Sequence, residues 1–334
     1  MADGALWRGT CQAGVETTYG TAVAATRRMY YEAPVFHLVR QPRPHMFATG
    51  TRDNVRSVSI GPQEVSGDLK QPLSSAEIVE LLLMHLDGAV TPSSLGSGAY
   101  LWDFKPSSAA VPLKSATFEW DDGANPWHVA GLYCEQLQIK GSANAANEVT
   151  ATLFGKSIAA GALTGALSSR TPDVTEGWET SLYIDAFGGT PGSTVVNGFL
   201  INWDVTLKAN LARKYFAQNS NTLGAVIPGV IGVQAVLTFE ASAAQALTEF
   251  ADFNVAVATP TYRLVRLDFG ENSVIGGGIT RSTKIDLPGA WAALSLGETD
   301  AGTRVYKLTL DYVYDSSNAF GVQIQCTNDR ATAW

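Results

Sequence analysis

The feature that most constrains the fold is an alternation of apolar and polar residues along residues 199–208, interrupted only at Leu200. The apolar set is Phe199, Ile201, Trp203, Val205 and Leu207, and the polar set is Asn202, Asp204, Thr206 and Lys208. Successive side chains of a strand point to opposite faces of a sheet, so this period of two predicts a strand with one buried face. Such strands are typical of antiparallel sheets that cover a core on one side.

Similar β patterns recur along most of the chain. We predict strands at residues 30–40, 57–69, 100–104, 114–120, 136–140, 148–153, 262–269, 285–296 and 305–314. Two short helices interrupt them. The first follows Pro72, with Ser74 or Ser75 as its cap and an apolar side that ends at Leu86, and the second covers residues 241–253. The expected fold class is mainly β.

Two echoes in the sequence suggest an internal duplication. Gly-Pro-Gln-Glu-Val at residues 61–65 resembles Gly-Val-Gln-Ala-Val at residues 232–236, and each precedes a predicted helix. Residues 129–140 resemble residues 196–208 in the same manner. The two echoes fall in opposite order along the chain, so a simple tandem duplication does not produce both.

A chain of 334 residues is long enough for two ordinary domains. Alternation stops between residues 159 and 178, which makes this stretch the candidate linker. The predicted organisation is therefore an N-terminal arm at 1–30, a first β domain at 31–160, a linker at 161–178 and a second β domain at 179–334.

The charge content limits the possible partners. Only 16% of residues are charged and the net charge is −8, which is not the basic footprint of a DNA-reading protein. So little charge indicates either a surface covered by partners or a Ser/Thr-rich exterior.

The three cysteines have no framework spacing, and no apolar run reaches the length of a membrane span, so we expect reduced thiols and no membrane insertion.

No pattern in the sequence indicates catalysis. The four histidines are scattered without metal-ligand spacing, and the glycines at 276–278 lie between two β segments instead of opening a helix. Asp121-Asp122-Gly123 is more typical of a hairpin turn than of a calcium site. We therefore assign no catalytic, cofactor or metal residue.

Residues 41–56 form the most cationic stretch of this acidic chain and are predicted to be a loop, because they contain two prolines. The arginines in and beside it are Arg40, Arg43, Arg52 and Arg56. They would either contact an acidic surface of a neighbouring copy or remain solvated.

Three stretches resemble the tail tube (major tail) proteins of long-tailed, non-contractile bacteriophages. They are GVETTYGTAV at residues 14–23 with the following Ala25-Thr26, the VSGDL strand at 65–69 before an Ile/Leu-rich helix, and a hairpin ending in TLFGK at 152–156. The GxExTxGTxV pattern is the most specific of the three. The resemblance covers chiefly residues 11–155, and the second half matches in style but not in motif.

The resemblance implies a β-sandwich tube domain with a flanking helix, whose strands join across subunits into a continuous barrel. Stacked rings would form the virion tail tube around a tape-measure protein, meet terminator and tip proteins, and later conduct double-stranded DNA. Two tube domains per chain favour a trimeric ring, and the alternative is a hexamer whose extra length is decoration. The protein would be made in the host cytoplasm, and no cofactor is expected.

The resemblance also suggests where particular residues lie. The lumen-facing candidates are Ser57, Ser59, Gln136, Gln138, Glu148, Thr150 and Thr152, and the four arginines with the N-terminal arm would contact the next ring. The alternatives to a tube protein are a β-sandwich protein that binds or hydrolyses glycans and another virion decoration or fibre protein.

Overall fold

The chain forms a large antiparallel β assembly. The structure is a computed structural model, and it describes residues 9–106, 108–109, 113–196, 198–217, 220–241, 248–249, 260–300 and 302–334. Strands account for 59% of the described residues, which confirms the mainly-β prediction. The predicted second helix, at 241–253, lies almost entirely outside the described residues.

The elements follow one another in a simple order. In the first half they are β1 (Thr10–Val15), β2 (Arg27–Met29), β3 (Glu32–Met46), β4 (Val55–Pro72), α1 (Val79–His85), β5 (Ser93–Gly96), β6 (Ala99–Phe104), β7 (Ala116–Asp121), β8 (Pro126–Ser142), β9 (Glu148–Gly155) and β10 (Ser157–Ala160). In the second half they are β11 (Thr180–Ala186), β12 (Val195–Val196), β13 (Leu200–Lys208), β14 (Ala212–Lys214), β15 (Ala225–Ile227), β16 (Gly232–Glu240), β17 (Tyr262–Gly276), β18 (Ile279–Asp300), β19 (Thr303–Tyr312) and β20 (Gln323–Asn328).

Eight strands form one continuous sheet in the order β3-β4-β9-β8-β13-β16-β19-β18, and every neighbouring pair is antiparallel. We call it the long sheet. The β8–β13 pairing joins the two halves of the chain, because Leu137 lies opposite Leu207 and Ile139 opposite Val205. The predicted division into two domains at residues 161–178 stays a prediction.

One face of the long sheet is buried and apolar. Its members include Val65, Leu69, Leu137, Ile139, Val149, Ala151, Val205, Leu207, Ala235, Leu237, Leu308 and Leu310. They belong to a core that also contains α1 and strands of the outer layer, in which β17 pairs with β11 and β18, and β20 pairs with β18 and β6. The alternation in the sequence therefore separates the two faces of the sheet as predicted.

Two local predictions need correction. Residues 41–56 are not a loop over their whole length, because β3 continues to Met46 and β4 begins at Val55. Helix α1 is shorter than predicted, no serine side chain caps it, and all seven of its residues are buried instead of one side. Its polar side is covered because Arg27 of β2 contacts Glu77 and Glu80 at 2.6 Å each, and Arg330 also contacts Glu80.

The first sequence echo does not survive in the structure. Val65 lies on the buried face of β4, whereas Val236 lies on the opposite face of β16, beside buried Ala235 and Leu237. The second echo relates β8 and β13, which are antiparallel partners within one sheet. The first echo therefore relates β4 and β16 with the wrong residues matched, and the second relates direct partners in the sheet, so neither echo gives the residue-by-residue correspondence of a repeat.

Candidate self-assembly surface

The seven lumen candidates lie on one face of the long sheet. Thr152 of β9 is opposite Asp68 of β4 and Gln136 of β8, and the next pairs on the same side include Gln138 with Thr150 and Lys140 with Glu148. Directly opposed residues of neighbouring strands share a face of the sheet. Polar side chains therefore predominate on the face that lies opposite the core, which we call the polar face, and at one end of it Tyr133 and Phe154 pack against Leu211 and Leu223.

Ser57 and Ser59 join the polar face because of a bulge. Between the pairs Arg40–Gln63 and Pro42–Ile60, β4 advances by one residue more than β3. An extra residue in one strand reverses which of its positions point to each face. The apolar positions of β4 are therefore even-numbered before the bulge, at Val58 and Ile60, and odd-numbered after it, at Val65 and Leu69.

Charges on the polar face are largely paired. Glu148 lies between Lys70 at 2.8 Å and Lys140 at 3.3 Å, and these contacts lower its pKa. Gln138 Nε2 donates to Asp204 Oδ2 at 2.7 Å, across the β8–β13 pairing. The polar face also carries two open depressions of about 540 Å³ each, one lined by Lys140 and Asp204 among others. The carboxylates of Glu148 and Asp204 on this face therefore have partners, and the net negative charge of the chain does not arise from them standing unpaired.

The long sheet has two open edges. Within the described residues, β3 pairs with β4 alone, and residues 291–300 of β18 pair with β19 alone. An unpaired strand edge presents backbone donors and acceptors that attract another strand. The two edges belong to the first and last strands of the long sheet, so they are different surfaces.

Each open edge belongs to a hairpin with exposed residues. From 37 to 60 every residue except Asn54 is exposed, including Met46, Val58 and Ile60. The predicted contact residues Arg40, Arg43, Arg52 and Arg56 are on this hairpin, which we call the β3–β4 arm. Arg56 Nη2 donates to Thr49 Oγ1 at 3.2 Å and to Thr51 Oγ1 at 3.1 Å.

The second hairpin points the other way. Its tip joins β18 to β19, and the described residues from 295 to 304 are exposed apart from the half-buried Asp300. Because all seven pairings of the long sheet are antiparallel, the tip of the β3–β4 arm and the tip of the β18–β19 hairpin lie at opposite ends of the strands.

The strand pairings themselves repeat. The order β3-β4-β9-β8 in the first half corresponds to β13-β16-β19-β18 in the second, with two hairpins in each set. The β8–β9 register shifts between Cys134 and Gln136, and the β18–β19 register shifts between Trp291 and Ala293. In both hairpins the shift lies opposite consecutive Leu and Thr residues, at Thr152-Leu153 and at Thr309-Leu310.

The GVETTYG segment is anchored by a buried carboxylate. Glu16 accepts hydrogen bonds from Gly20 N and Gly131 N at 2.7 Å each, and from Ser115 Oγ and Thr117 Oγ1 at 2.8 Å each. Gly131 has φ of +71°, and a Cβ there would approach Lys156 Cβ to 2.8 Å. The conformation and the lack of space both require glycine.

A second buried carboxylate holds the predicted linker against the body. Burial alone would raise the pKa of Glu119, but hydrogen bonds from Thr164, Gln12 and Ala25 lower it overall. Thr164 N donates to Glu119 at 2.6 Å and Thr164 Oγ1 at 2.7 Å. Sequence reasoning missed Glu16 and Glu119 as anchors, although Glu16 lies within the GxExTxG stretch that the sequence analysis singled out.

Comparison with known proteins adds no relative. No protein-family model matches the chain, and no curated protein matches it. Among the described residues, no helix is long and apolar enough to cross a membrane. Within the same residues, no group of three or more His, Cys, Asp or Glu side chains is arranged to hold a metal ion.

Proposed function

We propose that this protein is a structural subunit that assembles with copies of itself into rings and stacks those rings into a hollow phage tail tube. The observation that carries the proposal is the long sheet, which ends in two different open edges. Contacts between two different surfaces link subunits head to tail, and such contacts close into rings or continue as filaments. The resemblance of residues 11–155 to tail tube proteins favours stacked rings.

The polar face supports the assignment of a lumen. A curved, closed sheet needs one face against its protein core, and the face that remains is free to line a channel. Lys70 and Lys140 on this face are both paired with Glu148, which leaves fewer unpaired cations for passing phosphates to bind. The proposed partners are other copies of the chain, a tape-measure protein in the lumen, terminator and tip proteins at the ends, and double-stranded DNA in transit.

The repeated pairing order supports a trimeric ring. Each chain supplies two four-stranded sets, so three chains supply six sets. A hexamer of chains would supply twelve and would need a wider barrel, since the diameter of a barrel grows with its number of strands.

Negative-stain electron microscopy of the purified chain, with its mass in solution, tests the proposal. We expect rings or hollow tubes and a ring mass of three chains. A ring of six chains would keep the tube function and reject the trimer. A uniform monomer at all concentrations and salt conditions, even with purified tube ends added as initiators, would reject the function.

An edge variant makes the test more specific. Leu38→Asp places a charge on the open edge of β3, where the side chain is already 42% exposed, so we expect a folded chain that forms no rings. The control is Val230→Asp, a site that is 81% exposed and lies away from both edges, which should assemble normally. Equal assembly of both variants would contradict the role of the β3 edge.

A further inference from the structure

Within the chain, the pairing of β8 with β13 shows how two four-stranded sets connect edge to edge, and we call this pairing the internal joint. In the repeated pairing order, β13 is the counterpart of β3, and β18 is the counterpart of β8. The β8–β13 pairing inside the chain therefore corresponds to a pairing between β18 of one copy and β3 of the next. This inference rests on the proposed function, because it requires that copies assemble.

The counterparts can be matched residue by residue on β3. Gly67 of β4 and Ala235 of β16 lie opposite Leu153 and Leu310, the leucines that flank the two register shifts. On the next strand, Phe36 lies opposite Gly67, and Val205 lies opposite Ala235. Phe36 is therefore the counterpart of Val205, and Leu38 is the counterpart of Leu207.

The same comparison identifies which residues of β18 are the counterparts of residues of β8. Leu137 lies opposite Ala151 two positions before Leu153, and Leu294 lies opposite Leu308 two positions before Leu310. Leu294 is therefore the counterpart of Leu137, and Ser295 is the counterpart of Gln138.

Burial differs between the internal joint and the open edges. Leu137 and Leu207, which face each other within the chain, are both fully buried. Their counterparts Leu294 and Leu38 are half-buried and 42% exposed. Leu296, next on the same side as Leu294, is 53% exposed. The open edges thus expose apolar side chains at the positions where the internal joint buries them.

Prolines restrict where β3 accepts a partner. In the internal joint Ala209 N donates to Glu135 O, so the odd-numbered residues of β13 point their backbone groups toward β8. Phe36, Leu38 and Arg40 are the counterparts of odd-numbered β13 residues. Their backbone N–H and C=O groups therefore point outward from β3. Pro42 and Pro44 occupy the next two outward positions and have no N–H to donate. The available edge therefore ends near Arg40.

We propose that neighbouring copies join by antiparallel pairing of residues 293–296 of β18 with residues 36–39 of β3. In this register Leu294 lies opposite Leu38, and Ser295 lies opposite His37. The corresponding pairs within the chain are Leu137 with Leu207 and Gln138 with Thr206. The partner is a second copy of this chain, and the two edges form a head-to-tail contact.

Cysteine pairs test the register. Gln138 and Thr206 form a pair whose backbone groups point away from each other, the closer of the two antiparallel spacings and one within reach of a disulfide. The variant His37→Cys/Ser295→Cys should therefore form disulfides between copies on mild oxidation of assembled protein, giving ladders up to the ring size on non-reducing gels. The three native cysteines are buried, which limits the background.

Matched variants control for position. Gln138→Cys/Thr206→Cys should form the same bond inside one chain and give no ladder. Val35→Cys/Ser295→Cys and Val39→Cys/Ser295→Cys keep the cysteine on the same face of β3 but move it by two residues, and each should cross-link at least tenfold less.

The outcomes separate the register from the function. Rings by microscopy together with a ladder from Val35 or Val39 instead of His37 would overturn the register and keep the tube. Rings without any ladder would overturn this pairing of edges. Absence of rings in the wild type would overturn the proposed function and this joint with it.

Discussion

Trp203 Nε1 donates a hydrogen bond to Asn147 Oδ1 at 3.0 Å, and both residues are buried. Trp203 belongs to β13, whereas Asn147 ends the turn between β8 and β9. The Asn147 amide also donates to Thr175 Oγ1 at 3.1 Å and to Glu176 O at 3.3 Å. One side chain therefore connects the internal joint of the long sheet to the segment that precedes β11.

Replacing Asn147 by alanine should destabilise the chain. The substitution leaves the buried Trp203 N–H without this acceptor and removes the hydrogen bonds to Thr175 and Glu176, at a total cost of about 2–4 kcal/mol. Chemical denaturation followed by Trp fluorescence measures the loss. Asn144→Ala in the same turn is the control, because Asn144 is exposed, and it should change stability by about 0.5 kcal/mol or less. Equal losses would show that the turn and not the buried amide matters.

Replacing Glu16 by glutamine should also destabilise the fold. Glutamine offers one oxygen where two carboxylate oxygens accept four hydrogen bonds, and its amide N–H₂ faces donors. We expect a loss of about 2–4 kcal/mol. Thermal unfolding of Glu16→Gln against Glu32→Gln, an exposed site, checks this. An unchanged melting temperature for Glu16→Gln would contradict the anchoring role of the carboxylate.

His85 should make the protein sensitive to acid. Burial lowers its pKa from 6.5 to about 4, opposed by the hydrogen bond between His85 Nδ1 and Cys134 O. Between pH 6.5 and 4 the unfolded chain binds a proton that the folded chain does not, so stability falls as pH decreases. The shift corresponds to about 3 kcal/mol across this window.

The measurement compares wild type with His85→Gln by denaturant titration at pH 7, 5.5 and 4. The glutamine variant lacks this titration, so its stability should fall less steeply with acid than that of the wild type. Parallel stability curves would show that His85 does not remain neutral in the folded state.

The β3–β4 arm should control the contact between rings. Arg52→Glu/Arg56→Glu reverses two exposed charges near its tip, and we expect shorter tubes or isolated rings. Lys114→Glu/Lys214→Glu makes the same change in net charge at exposed sites outside the β3–β4 arm and should leave tube length unchanged. Tube lengths measured by electron microscopy decide between them, and a normal length for the arginine variant would reject the arm as a ring-to-ring contact.

Local pattern was enough to predict most strands and their buried faces, because a period of two depends only on neighbouring residues. The strand that contains Trp203 and the hairpin that contains Gln138 and Thr150 were predicted in this manner. The loop prediction for residues 41–56 is wrong at 41–46 and 55–56, because Pro42 and Pro44 do not end β3. On an edge strand a proline is tolerated when its nitrogen faces outward.

Long-range pairing was beyond the sequence. Nothing local to Leu137 indicates that it faces Leu207, since register depends on contacts across the chain. The bulge opposite Gln41 also reverses the faces of β4, which no single period describes. The buried ion pairs of Arg27 with Glu77 and Glu80 were missed for the same reason, and they explain why α1 has no exposed side.

The opposite placement of the two hairpin tips gives any stack of these rings a direction. Every ring would present β3–β4 tips on one rim and β18–β19 tips on the other. The two ends of the finished polymer would then be chemically unlike, one rich in arginine and apolar residues and the other in Glu298, Thr299 and Arg304. A protein that starts the polymer and a protein that stops it would therefore need different recognition surfaces.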